Sequence, residues 1–374
     1  MSVTDEYATE RDLSRRVRLL LTLAVVVIPV AGLLTWLGWP KFYSPTAVSH
    51  PCGIAVDGSG NVYVFNNSPV AGGNGSSVHP RIVKVTPDGK RSVTAGNGKM
   101  GDPRPGPATA SPLNGTASCT ASEQSADLAD QGGGLAVDAQ GNLYVADSHV
   151  VEKVTPAGVL SIVARSGDSG QPVAGPATAS SLESADSVAV DAAGNLYITD
   201  SFETQVAEVA PNGELSILAG TTLSGQAMGL VALNPVRGPS SVAVDPSGNV
   251  YIVANVASVN AGPVYQITTA GKSFTVKPAS GTYNGTYNRG VATDPGGNVY
   301  LTDGDRVTKI APDGKSSIVA GNGATGRPVA GTATSSPLSV VSLTADRSGN
   351  IYLAGSGEIV KVTPDGVLSV VAHD

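Results

Sequence analysis

Val137-Asp-Ala-Gln-Gly-Asn-Leu-Tyr144 decides the fold, because the chain carries this stretch six times. The copies are Val56–Tyr63, Val137–Tyr144, Val190–Tyr197, Val244–Tyr251, Thr293–Tyr300 and Ala345–Tyr352. Asp, Gly, Asn and Tyr recur in every copy. An apolar run precedes each copy, as in Ser187-Val-Ala-Val190, and another closes it, as in Leu196-Tyr-Ile-Thr199. Between them the Asp accepts backbone N–H groups, the Gly supplies positive φ, and the Asn tolerates left-handed geometry. Two β-rich runs joined this way read as a hairpin. The six aspartates are therefore expected to form turns rather than to serve as six catalytic acids.

A second half follows each copy. Examples are Lys84-Val-Thr-Pro-Asp-Gly89, Lys153-Val-Thr-Pro-Ala-Gly158 and Lys361-Val-Thr-Pro-Asp-Gly366. Pro sets φ for a turn and Gly ends it. A further β run comes next, such as Leu215-Ser-Ile-Leu218. Each repeat is thus four strands. The repeat aspartates Asp57, Asp138, Asp191, Asp245, Asp294 and Asp346 are 81, 53, 54, 49 and 52 residues apart. Four-stranded units at this period predict an all-β, six-bladed β-propeller over residues 51–374. One blade cannot bury its own faces, so the six form a single domain.

The first forty residues differ. Residues 1–18 carry Arg11, Arg15, Arg16 and Arg18, and Leu19 to Pro40 carry no charge. Those 22 residues would span roughly 33 Å as a helix, enough for a bilayer core. Trp36, Trp39 and Tyr43 gather at its far end like an interfacial belt. The arginine cluster places the N-terminus in the cytoplasm. The apolar run is longer than a signal-peptide core, and Leu33-Leu-Thr-Trp-Leu-Gly-Trp39 offers no small-residue cleavage site. The expected plan is a cytoplasmic tail (1–18), a transmembrane signal anchor (19–40), a linker (41–50) and an extracytoplasmic propeller. The protein is then a single-pass cell-membrane protein.

Lys+Arg number 23 and Asp+Glu 30. A mildly acidic propeller is a poor match for nucleic acid. The two cysteines, Cys52 and Cys119, are expected to form a disulfide, the usual state of such a pair outside the cytoplasm.

The repeat resembles the NHL family of β-propellers, in its bacterial secreted or membrane-anchored form. The matching residues are Gly134-Leu-Ala-Val-Asp138, Gly141-Asn-Leu-Tyr-Val-Ala-Asp147 and Val151-Glu-Lys-Val-Thr-Pro156. The connectors match too, in Gly106-Pro-Ala-Thr-Ala-Ser-Pro-Leu113, Gly175-Pro-Ala-Thr-Ala-Ser-Ser-Leu182 and Gly331-Thr-Ala-Thr-Ser-Ser-Pro-Leu338. Asp147, Asp200 and Asp303 keep the family's Asp after the second strand, whereas Asn66, Asn255 and Gly355 replace it.

The resemblance implies a binding module, a sensor or, in some relatives, an enzyme. Zinc-dependent relatives use several histidines. Here His50, His79, His149 and His373 are scattered, and only His149 holds a repeated blade position. Lactonase-like relatives hold calcium with oxygen ligands, which Asp147, Asp200 and Asp303, with Glu203 and Asp305 close by, would have to supply from several blades. The leading expectation is a non-catalytic binding, sensor or protein-interaction propeller without a cofactor. Its alternatives are a metal-dependent lactonase- or lyase-like enzyme and a structural or adhesive surface protein. Loop-length variation, including the expected loops Asn67–Pro80 and Val256–Pro263, is concentrated on the face bearing the strand 2–3 loops and the connectors. A protein or surface-polymer ligand is expected there, near Asp147, His149, Asp200, Phe202, Glu203, Asp303 and Asp305.

Overall fold

Each repeat aspartate closes its turn through one set of hydrogen bonds. In the third copy, Asp191 Oδ1 accepts the N–H groups of Ala193 (2.9 Å) and Asn195 (2.8 Å). Its Oδ2 accepts Asn195 Nδ2 (2.7 Å) and the Tyr197 hydroxyl (3.2 Å). Gly194 takes φ 89° to close the loop. The aspartates of the other five copies bind the corresponding partners. In four blades a lysine from the third strand (Lys84, Lys153, Lys309, Lys361) sits 5.4–5.8 Å from the ring centroid of the repeat tyrosine. The turn-forming reading of these aspartates is what the structure shows.

The computed structural model describes residues 44–69, 78–115, 134–165, 170–202, 204–221, 227–229, 237–255, 264–276, 290–355 and 357–373. The expected membrane segment 19–40, Cys119, Glu203 and the 256–263 loop lie outside them. No helix among the described residues is long and apolar enough to cross a membrane. All but Ser44 belong to one compact unit, Pro45–Asp374.

The described residues form six antiparallel sheets, the blades of a six-bladed propeller, at 51–95, 135–164, 185–221, 237–276, 290–320 and 342–373. Blade 3 illustrates the order: Ala185–Val190, Leu196–Asp200, Gln205–Val209 and Glu214–Thr221 pair in sequence. The first strands line the central channel. Apolar clusters fill the spaces between blades: Phe65 and Ile82 of blade 1, for instance, pack with Leu135, Leu143 and Leu160 of blade 2. In blade 1 the second and third strands pair as far as Pro69 and Val78. The stretch 67–80, expected to be a loop, is thus a hairpin extension apart from residues 70–77, which lie outside the described residues.

The Gly-Pro-Ala-Thr stretches stitch neighbouring blades together. Gly106 and Pro107 add a short strand to the outer edge of blade 2, opposite Leu160 and Val159. Ala108 then donates its N–H to the Gly158 carbonyl of blade 2 (2.9 Å) and accepts the Gly96 N–H from the end of blade 1 (3.0 Å). Ala177 joins blades 2 and 3 in the same way, through Gly213 and Arg165, and Ala333 joins blades 5 and 6, through Gly366 and Gly321. The leucine that ends each stretch, Leu113, Leu182 or Leu338, is wholly buried between blades.

Other junctions use serines near the axis. Ser187 Oγ accepts the Val242 N–H, and Ser241 Oγ accepts the Val291 N–H, each at 3.2 Å. Among the described residues, blades 6 and 1 share no strand. Val48, fully buried, lies against Tyr352, Ala354, Ile359 and Ala372 of blade 6. It fills the place that Leu113 fills one junction on. Arg91 Nη2 donates across the same seam to the His373 carbonyl (2.9 Å).

Candidate functional site

The expected rim residues do not converge. Asp147 and Asp200 end the second strands of blades 2 and 3, and both are fully buried. Asp147 Oδ2 accepts the Asn114 N–H (2.6 Å) and Oδ1 the Gly115 N–H (2.8 Å). Asp200 accepts the N–H groups of Glu183 (2.8 Å) and Ser184 (3.2 Å). Each carboxylate therefore pins the connector arriving at its own blade. Asn66 does the same in blade 1, accepting from Ser49 (3.1 Å) and His50 (3.0 Å). Blade 6 has Gly355 there because a Cβ would stand 1.8 Å from the Ser339 carbonyl oxygen.

Asp303 is half-buried and folds back on its own loop, accepting the Arg306 N–H (2.9 Å). Burial and the neighbouring Asp305 push its carboxyl up. His149 Nε2 lies 3.0 Å from Asp102 Oδ1, and Arg165 Nη2 donates to Asp102 Oδ2 at 2.7 Å. Phe202 alone meets the expectation of an open side chain, at 66% exposure. Glu203 lies outside the described residues. Loop-closing and connector-docking bonds thus occupy Asp147, Asp200 and Asp303.

Among the described residues, no three or more His, Cys, Asp or Glu side chains stand close enough to hold a metal ion. Calcium requires six or more oxygens at about 2.3–2.6 Å. Asp147, Asp200 and Asp303 sit on separate blades with their oxygens engaged, so these residues do not fit calcium.

What the sequence reading missed lies at the channel mouth. The first strands of blades 1, 3 and 4 each bulge near their start, between Pro51 and Gly53, Ala185 and Ser187, and Pro239 and Ser241. The extra residues are Cys52, Asp186 and Ser240, each five residues before a repeat aspartate. A bulge re-aims a side chain out of the alternating pattern. All three line the central channel, a cavity of about 200 Å³ bounded by first strands of all six blades. Cys52 is disulfide-bonded, and Cys119 is the only other cysteine of the chain.

Asp186 accepts the Ser184 hydroxyl (3.1 Å) and the Ser201 N–H (3.1 Å). Burial pushes its carboxyl up to about 8, against the lowering pull of the Ser201 and Ser184 bonds. It is thus a neutral acid at pH 7, able to donate as well as accept. The Ser240 hydroxyl is buried and finds no hydrogen-bond partner among the described residues. The mouth therefore presents a carboxyl and an uncommitted buried hydroxyl to the channel.

No established family profile matches the chain. Solved propellers do. A structural-genomics protein of unknown function from Bacteroides thetaiotaomicron is 18% identical, with 87% of this chain and 71% of that one covered and a TM-score of 0.55. A streptogramin B lyase is 12% identical over 88% of this chain and 95% of that chain, with a TM-score of 0.50. At these identities the likeness establishes the propeller fold.

Proposed function

We propose that this chain is an NHL-type binding propeller held outside the cytoplasm by residues 19–40, and that it takes a small polar ligand at the channel mouth through Asp186 and Ser240. The observation that carries this reading is the pairing of a buried, neutral carboxyl with an uncommitted buried hydroxyl at one end of the channel. A perturbed carboxyl in a cleft is a functional-site candidate on physical grounds. Buried polar groups with spare hydrogen-bonding capacity favour ligands that supply the missing partner. The uncharged run Leu19–Pro40 and the disulfide state of Cys52 support the extracytoplasmic placement.

A second reading makes the same mouth catalytic. Asp186, protonated at neutral pH, has the character of a general acid, and the similar structures include a lyase. Thermal-shift screening of small hydroxylated, amino and carboxylated compounds against wild type, Asp186→Asn and Ser240→Ala separates the two readings. Stabilisation of wild type that both variants lose supports binding. Turnover of lactone or cyclic-peptide substrates that Asp186→Asn abolishes supports the enzyme. A ligand response unchanged in both variants rejects the channel mouth. Protease accessibility of 42–374, but not of 1–18, on intact cells tests the membrane placement.

A further inference from the structure

We propose that Asp147 and Glu152 hold one proton between them, and that its loss releases the Asn114–Gly115 connector from blade 2, making the junction of blades 1 and 2 a proton-operated seam. The inference is independent of the channel mouth.

Glu152 stands out in the repeat. It occupies the third-strand position just before Lys153, where the other blades carry Val83, Ala207, Tyr265, Thr308 and Val360. Its cross-strand partners are Val145 and Ile162, which belong to the apolar cluster between blades 1 and 2. The side chain is fully buried, and neither carboxyl oxygen meets a donor among the described residues. Its neighbour is Asp147, also fully buried, within side-chain hydrogen-bonding reach. Two carboxylate groups are acceptors only, so the bond between them requires a proton. Two adjacent buried carboxyls do not both ionise, because desolvation and mutual repulsion each oppose the second charge.

Charged groups around the pair do not neutralise it. Asp147 has His149 on its own loop, and Glu152 has Arg165 at the end of the fourth strand. Both are drawn outward to Asp102 of the connector. Blade 1 faces the site with the neutral amide of Asn67, near Gly115. Burial and the Asp147 charge push the Glu152 carboxyl well above its ordinary range, and burial pushes Asp147 up to about 6. When base removes the shared proton to water, two like charges face each other in an apolar seam. The structure that yields is the one resting on Asp147, namely its bonds to the Asn114 and Gly115 amides.

Amide hydrogen exchange on the full chain tests this, with intrinsic base catalysis divided out. In wild type, protection of the Asn114 and Gly115 amides falls about tenfold or more between pH 6 and pH 9, equivalent to about 1.4 kcal/mol. In Glu152→Val, which restores the residue type of blades 1 and 6, protection stays within about twofold over the same range. Glu152→Gln serves if the valine variant does not fold. Infrared spectra at pH 7 show protonated-carboxyl absorption beyond that of Asp186, and the variant loses that extra intensity. Flat protection in wild type, the same fall in the variant, or a band unchanged by substitution overturns the proposal.

Discussion

Ala108 donates its N–H to the carbonyl of Gly158 at 2.9 Å, and so fastens the chain leaving blade 1 to the outer edge of blade 2. The same bond recurs at two further junctions, Ala177 to Gly213 and Ala333 to Gly366, each at 2.9 Å. Where a connector carries Gly-Pro or Gly-Thr followed by Ala-Thr, the motif joins one blade to the next.

The leucine ending each stitch is the first test. Leu113→Ala and Leu338→Ala each empty a fully buried site between blades. Each substitution is expected to cost about 2–5 kcal/mol. Denaturant midpoints measure it, and a loss below about 0.5 kcal/mol at either position would show that the leucine does not hold its junction.

Asp200→Ala strips two connector amides, those of Glu183 and Ser184, of their acceptor. Leaving buried donors unsatisfied costs about 1–3 kcal/mol each. Phe202→Ala, two residues away and 66% exposed, should stay within about 0.5 kcal/mol of wild type. If the two variants behave alike in thermal denaturation, Asp200 is not an anchor.

Asp186 sets a pH dependence. Its folded carboxyl titrates near 8, above the ordinary carboxylate range, so the folded state holds more protons than the unfolded one between about pH 4 and pH 8. Stability therefore falls as pH rises through that window, by at most about 1.4 kcal/mol per unit, and levels off on either side. The difference in stability between wild type and Asp186→Asn should follow that slope. A pH-independent difference would contradict the assignment.

The cysteine pair gives a fourth expectation. With Cys52 bonded and Cys119 its only available partner in the chain, the bridge would close a loop of 67 residues. In the chain-entropy account such a closure is worth roughly 4 kcal/mol. Reduction should lower the unfolding midpoint correspondingly. Alkylation of both thiols in the folded, non-reduced protein would contradict the pairing.

The six copies of Asp-x-x-Gly-Asn-x-Tyr made the blades and their turns readable, because the bonds involved span only two to six residues. The connector motif was visible, but its meaning lay in a partner about fifty residues on, as Pro107 lies from Val159. Asp147 and Asp200 looked like rim ligands because sequence places an acid at a strand end without showing whether a connector returns to cover it. Asp186 was missed because cross-strand register sets its bulge, and no local pattern encodes register. Glu152 could have been found: laying the six third strands side by side leaves one carboxyl in a column otherwise holding Val, Ala, Tyr and Thr.

Val48 gives the ring a mechanical address. It is wedged between blades 6 and 1, and the two residues after it are pinned by Asn66. Tension on the chain ahead of Val48 is delivered to that seam and to Asn66 of blade 1, whose Nδ2 donates to the Ala47 carbonyl (3.0 Å). Among the described residues, packing and the Arg91–His373 bond hold the seam, and no strand is shared across it. Force applied from the N-terminal side therefore peels the first and last blades apart, while force applied to a stitched connector must shear its added strand. Pulling direction, not only magnitude, decides how this ring opens.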